Sequence, residues 1–310
     1  MSRFQPFPGM FLRIGSSYFE FMPHPLMPDD KETVFALEGG EALVYQVRNL
    51  DTQERCALKV FKASYRGPHL VRVTEVLQRH AHLPGLYLGY RICLTRTHYP
   101  EAVEAFPELE YAMLMPWVEA RTWAGLMLDQ AASVDYTFEQ ARHIALAMSQ
   151  VLWNLEIRGL AHADIAGANV LLTPQLGGIQ LLDLEGLYAP GLPQPKKVSW
   201  GSPGYQHRNL PRQGQWCPQG DRFAGAVLLT EMLTWWEPRV RAHVADQAET
   251  LFHPHELQQT QTPLWRAVRE VLLSLSRDLL YLFDQAWASS SLAECPELAT
   301  WAMTLYSIFV

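Results

Sequence analysis

Three oxygen-bearing side chains near the middle of the chain have the types and spacing that chemistry on a phosphate group requires. Asp164 is followed by Asn169 five residues later and by Asp183 nineteen residues later. In such a set, one carboxylate can orient and deprotonate an attacking hydroxyl, while an amide oxygen and a second carboxylate hold Mg²⁺ against the phosphates. Oxygen donors are also the ligands that Mg²⁺ prefers. Phosphoryl transfer from ATP needs this set of groups, so Asp164 is a candidate for the catalytic carboxylate and Asn169 and Asp183 are candidates for the metal ligands.

Five further motifs occur along the chain in an ordered series. They are Leu37-Glu38-Gly39-Gly40-Glu41-Ala42-Leu43-Val44, Ala57-Leu58-Lys59-Val60, Tyr111 to Glu119, Gly201-Ser202-Pro203-Gly204-Tyr205 and Asp221 to Leu233. Together with the loop from His162 to Asn169, the series resembles the protein kinase family over roughly residues 33–300. The chain is similar to a divergent bacterial member of that family, with the fold of the eukaryotic-type Ser/Thr protein kinases.

The resemblance implies that the first third of the chain binds ATP. The hairpin that covers the phosphates with backbone N–H groups corresponds to Leu37, Gly39 and Val44, and it keeps only one of the family's three glycines. Lys59, two residues after Ala57, corresponds to the Lys that neutralises the α- and β-phosphates. Apolar residues flank Lys59 on both sides, which predicts that it emerges from a buried strand.

The same resemblance assigns a partner to the lysine and a place to the adenine. The family's Lys pairs with a Glu on the next helix, and Glu75 is the only acidic residue between Lys59 and Glu101. Met115 would lie at the back of the adenine pocket. Pro116 and Val118 would offer backbone hydrogen bonds, and Pro116 can contribute only its carbonyl because it has no N–H.

Downstream residues favour a protein kinase but also depart from the family pattern. The Gly201–Tyr205 segment resembles the part of an activation segment that recognises a protein substrate. Asp221 is expected to bond backbone groups of the catalytic loop, as a structural residue. Ala163 replaces an Arg, so control by a phosphorylated activation loop is not expected. Ala166 replaces the Lys that in the family stabilises charge on the γ-phosphate. Glu185 replaces the Gly of D-F-G and adds a negative charge beside the metal site.

Two other functions stay open from the sequence. The departures at Leu37, Ala166 and Glu185 would also suit a pseudokinase that binds a nucleotide or a partner as a scaffold. Retention of Lys59, Asp164, Asn169 and Asp183 argues against that alternative. A small-molecule kinase shares the catalytic loop but usually lacks the segment found at Gly201–Tyr205.

The elements that must position these residues follow from hydrophobic periodicity. Strands dominate the first third of the chain and helices the remainder, which predicts an α+β fold of two lobes, one small with an antiparallel sheet and one large and mainly helical. The predicted divisions are an N-terminal arm at 1–32, a small ATP-binding lobe at 33–117 and a large catalytic lobe at 118–310. Helices are predicted at 68–82, 138–158, 221–235 and throughout 263–310. Strands are predicted at 86–95 and 110–118, with an acidic loop at 101–110 between them.

Composition narrows the classes of partner. The chain has 310 residues, of which 48% are hydrophobic and 18% charged, with a net charge of −7. A nucleic-acid ligand is not expected because the sequence has no run of Lys or Arg. A membrane is not expected because the longest apolar stretch is too short to span one. Four scattered Cys and the absence of a signal-peptide pattern predict a cytoplasmic protein. The expected partners are ATP and a protein substrate, and the sequence does not indicate an oligomeric state.

Overall fold

The structure is a computed structural model that describes residues 4–27, 29–30, 32–173, 178–195, 198–210, 214–244, 249–259 and 261–310. It combines a curled antiparallel sheet with many helices. The chain divides into two compact units, and each is described here by itself. The small unit comprises Met1–His82 and Tyr87–Glu119, and the large unit comprises Leu83–Leu86 and Ala120–Val310.

A seven-stranded antiparallel sheet forms the framework of the small unit. Its strands are β1 (Phe11–Ile14), β2 (Ser17–Phe21), β3 (Ala36–Glu38), β4 (Ala42–Asn49), β5 (Arg55–Phe61), β6 (Ile92–Cys93) and β7 (Met113–Pro116). The spatial order is β1-β2-β4-β5-β7-β6, and β3 pairs with the first part of β4. β4 and β5 pair as one antiparallel hairpin, and β1 and β2 pair as another.

The hydrophobic core of the small unit covers one face of this sheet. Alternate residues of a strand point to opposite faces. Leu58 of β5, Tyr45 of β4 and Leu114 of β7 are paired across the strands and therefore share a face. The N-terminal hairpin continues the sheet beyond β4, and its buried residues Phe19 and Phe21 belong to the same core. This face of the sheet therefore carries the main hydrophobic core of the small unit.

Two helices complete the small unit, and one of them corrects the sequence prediction. Helix α1 (His69–His80) matches the predicted helix and buries Leu70, Val73 and Leu77. The predicted acidic loop at 101–110 is wrong, because Pro100–Ala105 forms helix α2 and Pro107–Leu109 forms a 3₁₀ turn. Both segments begin with a proline, which suits the first position of a helix since its missing N–H is not needed there.

The predicted strand at 86–95 shrinks to the two residues of β6. Tyr87–Gly89 forms a 3₁₀ turn instead of a strand. A Cβ atom at Gly89 would lie 2.8 Å from the carbonyl oxygen of Leu77, so the turn packs its backbone directly against the end of α1. This close approach requires glycine and fixes where the strand can begin.

Helices form most of the large unit. They are α3 (Trp123–Leu128), α4 (Gln130–Asp135), α5 (Phe138–Glu156), α6 (Arg222–Thr234), α7 (Pro238–Arg241), α8 (Pro263–Leu275), α9 (Arg277–Ala288) and α10 (Leu298–Phe309). A small antiparallel sheet joins β8 (Arg121–Thr122), β9 (Val170–Thr173) and β10 (Gly178–Leu181) in the order β10-β9-β8. Among the described residues, no helix has both the length and the apolar character needed to cross a bilayer.

The long helices follow the predicted pattern, with one interruption. Helix α5 begins at a capping box in which Thr137 and Gln140 exchange hydrogen bonds with each other's backbone N–H groups. Every residue of α6 after Arg222 is buried, which makes it the central helix of the large unit. The prediction of helix throughout 263–310 is wrong at 289–297, where the chain leaves α9 and runs through a 3₁₀ turn before α10.

Candidate active site

The loop that carries Asp164 is held in place by a buried carboxylate. Asp221, just before α6, accepts hydrogen bonds from the backbone N–H of His162 at 2.6 Å and of Ala163 at 2.8 Å. Ala163 has a φ of +65°, a left-handed conformation that costs a non-glycine residue about 1 kcal/mol or more. Burial raises the pKa of Asp221, while His162 and the two N–H groups act against that rise. The predicted bonding of Asp221 to the catalytic loop is confirmed.

His162 connects this loop to the segment that carries Asp183. The side chain is fully buried. Its Nδ1 accepts from the backbone N–H of Asp164 at 3.3 Å, which leaves Nε2 to donate to the carbonyl oxygen of Leu182 at 2.6 Å. One imidazole therefore fixes the backbone next to both carboxylates. Sequence reasoning named His162 only as part of the motif and gave it no role.

Asn169 also links the loop that carries Asp164 to the segment that carries Asp183. Its Nδ2 donates to the carbonyl oxygen of Asp164 at 2.9 Å, and its own carbonyl accepts from the N–H of Leu182 at 2.9 Å. Because Nδ2 is committed, the amide oxygen Oδ1 is the atom left to bind a cation. Asp183 follows Leu182 with φ of +52°, so the chain turns sharply at this carboxylate. The three predicted residues therefore lie together in the large unit, and their oxygen donors are of the kind that Mg²⁺ takes.

A serine of the Gly201–Tyr205 segment contacts the predicted catalytic carboxylate directly. Ser202 Oγ donates a hydrogen bond to Oδ1 of Asp164 at 3.0 Å. The two residues are 38 positions apart in the sequence. The motif drew attention to this segment, but nothing in the sequence places Ser202 on Asp164.

A second buried carboxylate anchors that segment. Glu231 of α6 accepts at Oε2 from the Tyr205 hydroxyl at 2.6 Å and from Trp123 Nε1 at 3.0 Å, and at Oε1 from the N–H of Leu251 at 2.7 Å. These described donors are all neutral. Burial raises the pKa of Glu231 to about 7, and the three hydrogen bonds act in the opposite direction. Sequence reasoning missed this group, because a Glu within an apolar helix shows no partner.

Five of the predicted ATP-binding residues of the small unit share one face of its sheet. Across the strands, Leu37 is opposite Val44, Val44 is opposite Lys59, and Ala57 is opposite Met115. Directly opposed residues point to the same side, and residues two apart on a strand do so as well. This is the face opposite to the one that carries the main hydrophobic core of the small unit.

Lys59 is buried on that face, as its apolar neighbours predict. It is 5% exposed, and its Nζ lies 5.3 Å from the centroid of the Phe61 ring. Glu75, its predicted partner, lies on the exposed side of α1, whereas the preceding Thr74 is buried and donates to the sulfur of Met113 at 3.3 Å. The pairing of Lys59 with Glu75 stays a prediction.

The two loops assigned to the nucleotide are short and ordered. The hairpin between β3 and β4 closes with the N–H of Gly39 on the carbonyl of Ala42 at 2.9 Å. At the end of β7, Pro116 is opposite Cys56, and the N–H of Trp117 donates to the carbonyl of Arg55 at 3.1 Å. The roles of Gly39, Pro116 and Val118 toward a nucleotide stay predictions.

Comparison with known proteins gives distant similarities of one kind. No family model matches the chain. The chain is 27% identical over 190 residues to mitogen-activated protein kinase kinase kinase 18 of Arabidopsis thaliana, a match that covers 58% of this chain and 53% of that protein. It is 25% identical over 179 residues to a protein kinase and PP2C-like domain-containing protein of the same plant, covering 49% of this chain and 27% of that protein.

These similarities indicate a distant protein kinase-like relationship. The matches cover about half of the first relative and about a quarter of the second, so they do not extend to the whole of either protein. A bacterial affiliation of the chain stays a prediction. The mixed α/β architecture is compatible with the two-lobed fold that the motifs predict.

Proposed function

We propose that this chain is an ATP- and Mg²⁺-dependent phosphotransferase that transfers the γ-phosphate to a Ser or Thr hydroxyl of a protein. One observation carries the proposal. Asp164, Asn169 and Asp183 are joined through His162, Leu182 and the Asn169 amide into one hydrogen-bonded group. The distant similarity to two plant protein kinases supports the same conclusion.

Each group has a role that follows from its chemistry. Asp164 orients the acceptor hydroxyl and takes its proton, since a base must lie within hydrogen-bond reach of the hydroxyl it activates. The amide oxygen of Asn169 and the carboxylate of Asp183 would hold Mg²⁺, which supplies positive charge against the phosphates. Lys59 would neutralise the α- and β-phosphates. Catalysis of this type depends mainly on positioning and electrostatics.

Two substitutions separate chemistry from binding. Asp164→Ala should reduce phosphate transfer by at least a hundredfold while leaving Mg-ATP binding intact, because general-base assistance supplies about 10²–10⁴-fold. Asp183→Ala should weaken binding of Mg-ATP itself. Transfer is measured with γ-labelled ATP and a generic protein substrate, and binding is measured by thermal shift on the same samples.

The matched control is Asp278→Ala, which removes an exposed carboxylate from the first turn of α9. It should keep both activities. Full transfer by Asp164→Ala would contradict the proposed role of that carboxylate. Stabilisation of the wild type by Mg-ATP without transfer to any substrate would instead support a nucleotide-binding scaffold, which the departures at Leu37, Ala166 and Glu185 would suit.

A further inference from the structure

We propose that Ser202 is a phosphoryl acceptor of this chain's own active site, and that its phosphorylation shuts the site off. The inference rests on the proposed function. It starts from the hydrogen bond that Ser202 Oγ donates to Oδ1 of Asp164 at 3.0 Å. An acceptor hydroxyl must make this contact with the carboxylate that takes its proton. In this structure, an intramolecular serine makes it.

The backbone around Ser202 is fixed rather than free to move away. Gly201 and Gly204, on either side, have φ of +82° and +89°, which only glycine adopts readily. A Cβ at Gly201 would clash with Gln215, and one at Gly204 would lie 2.8 Å from the carbonyl oxygen of Phe252. The N–H of Tyr205 donates to the carbonyl of Ser202 at 3.0 Å.

Fixation of this kind favours an intramolecular acceptor. A well-oriented group in the same molecule reaches effective concentrations of about 10⁵ M or more, far above any protein substrate in solution. The segment is also held at Tyr205, which is fully buried and donates a hydrogen bond to Glu231. Ser202 therefore competes with any external hydroxyl for Asp164.

The step needs only ATP as co-reactant. Ser202 Oγ forms a bond to the γ-phosphorus, and the bond from that phosphorus to the oxygen bridging to the β-phosphate breaks. ADP leaves with that electron pair, and the hydroxyl proton passes to Asp164. The product is phosphoserine at 202.

The charge balance around Asp164 argues that this product is inhibitory. A phosphoserine carries about −1.5 to −2 charges at pH 7 and would lie beside a carboxylate. The sequence has no Lys or Arg from Gly159 to Pro195, a range that includes Asp164, Asn169 and Asp183. The nearest cations of the sequence after Asp183 are Lys196 and Lys197, outside this range, so the loop that carries Asp164 has no cation of its own to offset the repulsion.

The first experiment maps phosphate on the full chain. Wild-type protein is treated with phosphatase, the phosphatase is removed, and Mg²⁺ and ATP are added with casein as external substrate. Mass spectrometry should find phosphate at Ser202, at a rate that does not change when the protein is diluted tenfold. In a mixture, wild-type protein should leave Ser202 of an Asp164→Ala chain unmodified, because the reaction is intramolecular.

Matched variants then test the consequence. As phosphate accumulates on Ser202, phosphorylation of casein by the wild type should slow at least tenfold. The Ser202→Ala variant should instead phosphorylate casein at a rate that stays constant over time. Ser307→Ala is the control, since it removes an exposed serine hydroxyl from α10. It should behave as the wild type. Thermal unfolding checks that both variants are folded.

The outcomes separate the two proposals. Phosphate on casein or on other residues, but none on Ser202, would overturn this inference and leave the proposed function standing. Ser202 phosphate that depends on protein concentration would overturn the intramolecular step, and a constant casein rate in the wild type would overturn the inhibition. Transfer to nothing at all would overturn the inference together with the proposed function.

Discussion

Two buried carboxylates, Asp221 and Glu231, each hold a segment of the candidate site through hydrogen bonds. Asp221 receives two backbone N–H groups of the catalytic loop, and it lies beside His162. Glu231 receives a phenol, an indole and one backbone N–H, all of them neutral. Such hydrogen bonds offset only part of the cost of burying a charge, so burial raises the pKa of both carboxylates.

The free energy of unfolding should therefore depend on pH through Glu231. Burial raises its pKa from 4.5 to about 7, so between these values the folded protein holds a proton that the unfolded chain has released. Stability falls as the pH rises through this window, by about 3 kcal/mol in total, and is flat above it. Glu231→Gln should remove this contribution, and urea unfolding of both proteins at pH 5 and pH 8 measures it.

The test compares how the free energy of unfolding changes with pH in the two proteins, and not its absolute value. The NH₂ group of the glutamine cannot accept a hydrogen bond, whereas both oxygens of the protonated Glu231 can, so this variant should be less stable than the wild type at pH 5. Glu270→Gln, at an exposed position of α8, is the control and should keep the wild-type slope. Equal pH slopes in Glu231→Gln and the wild type would show that Glu231 is already charged at pH 5.

At the scale of elements, the catalytic loop is shaped by a glycine that allows close packing. Gly167 begins the 3₁₀ turn Gly167–Asn169. A Cβ there would lie 2.8 Å from Cδ1 of Trp123 and 2.9 Å from the hydroxyl oxygen of Tyr205. Both aromatic side chains are fully buried, so neither has room to yield.

Gly167→Ala should therefore destabilise the protein by about 1–3 kcal/mol, the usual cost of overpacking a core. Gly186→Ala is a close control, because Gly186 also lies in a 3₁₀ turn of the large unit but a Cβ there meets nothing within 4 Å. It should change stability by less than about 1 kcal/mol. The measurement is the urea midpoint of each variant, and equal midpoints would contradict the packing argument.

Hydrophobic periodicity predicted the helices that are long enough for the pattern to repeat several times. Helix α5 has apolar residues at helical spacing along one face, and helix α6 is apolar along most of its length. Each pattern extends over a dozen residues or more, and both helices are confirmed. Helices α3 and α4 have six residues each, too few for a period to be read, and were missed. The segment of helix α2 and the following 3₁₀ turn has the prolines and acids typical of a loop, and composition therefore predicts a loop there. Each proline instead begins a helical segment.

The site was predictable as residue types but not as contacts. Motif spacing singled out Asp164, Asn169 and Asp183, and the structure joins them within the large unit. The Ser202–Asp164 bond spans 38 residues and the Trp123–Glu231 bond spans 108. Such contacts depend on how the chain folds back on itself, and no local pattern of residue types encodes them.

At the scale of the whole molecule, the division into two compact units has a consequence for stability. The core cluster around Phe21 draws all its members from the small unit. The ring of Phe283 stacks on Phe252 and contacts Trp287, all in the large unit. Each unit thus has its own hydrophobic core, and parts of a protein with separate cores can open separately.

Truncating one core should then lower protection in that unit alone. Phe21→Ala should destabilise the small unit by about 3–5 kcal/mol, through lost burial and the cavity left behind. Amide hydrogen exchange on the full chain should then accelerate a hundredfold or more in β4 and β5, while α5 and α6 keep wild-type rates. Phe283→Ala, a truncation of an equally buried Phe, should give the reverse pattern. If either substitution accelerates exchange equally in both units, the two cores unfold as one cooperative structure and the division has no thermodynamic meaning.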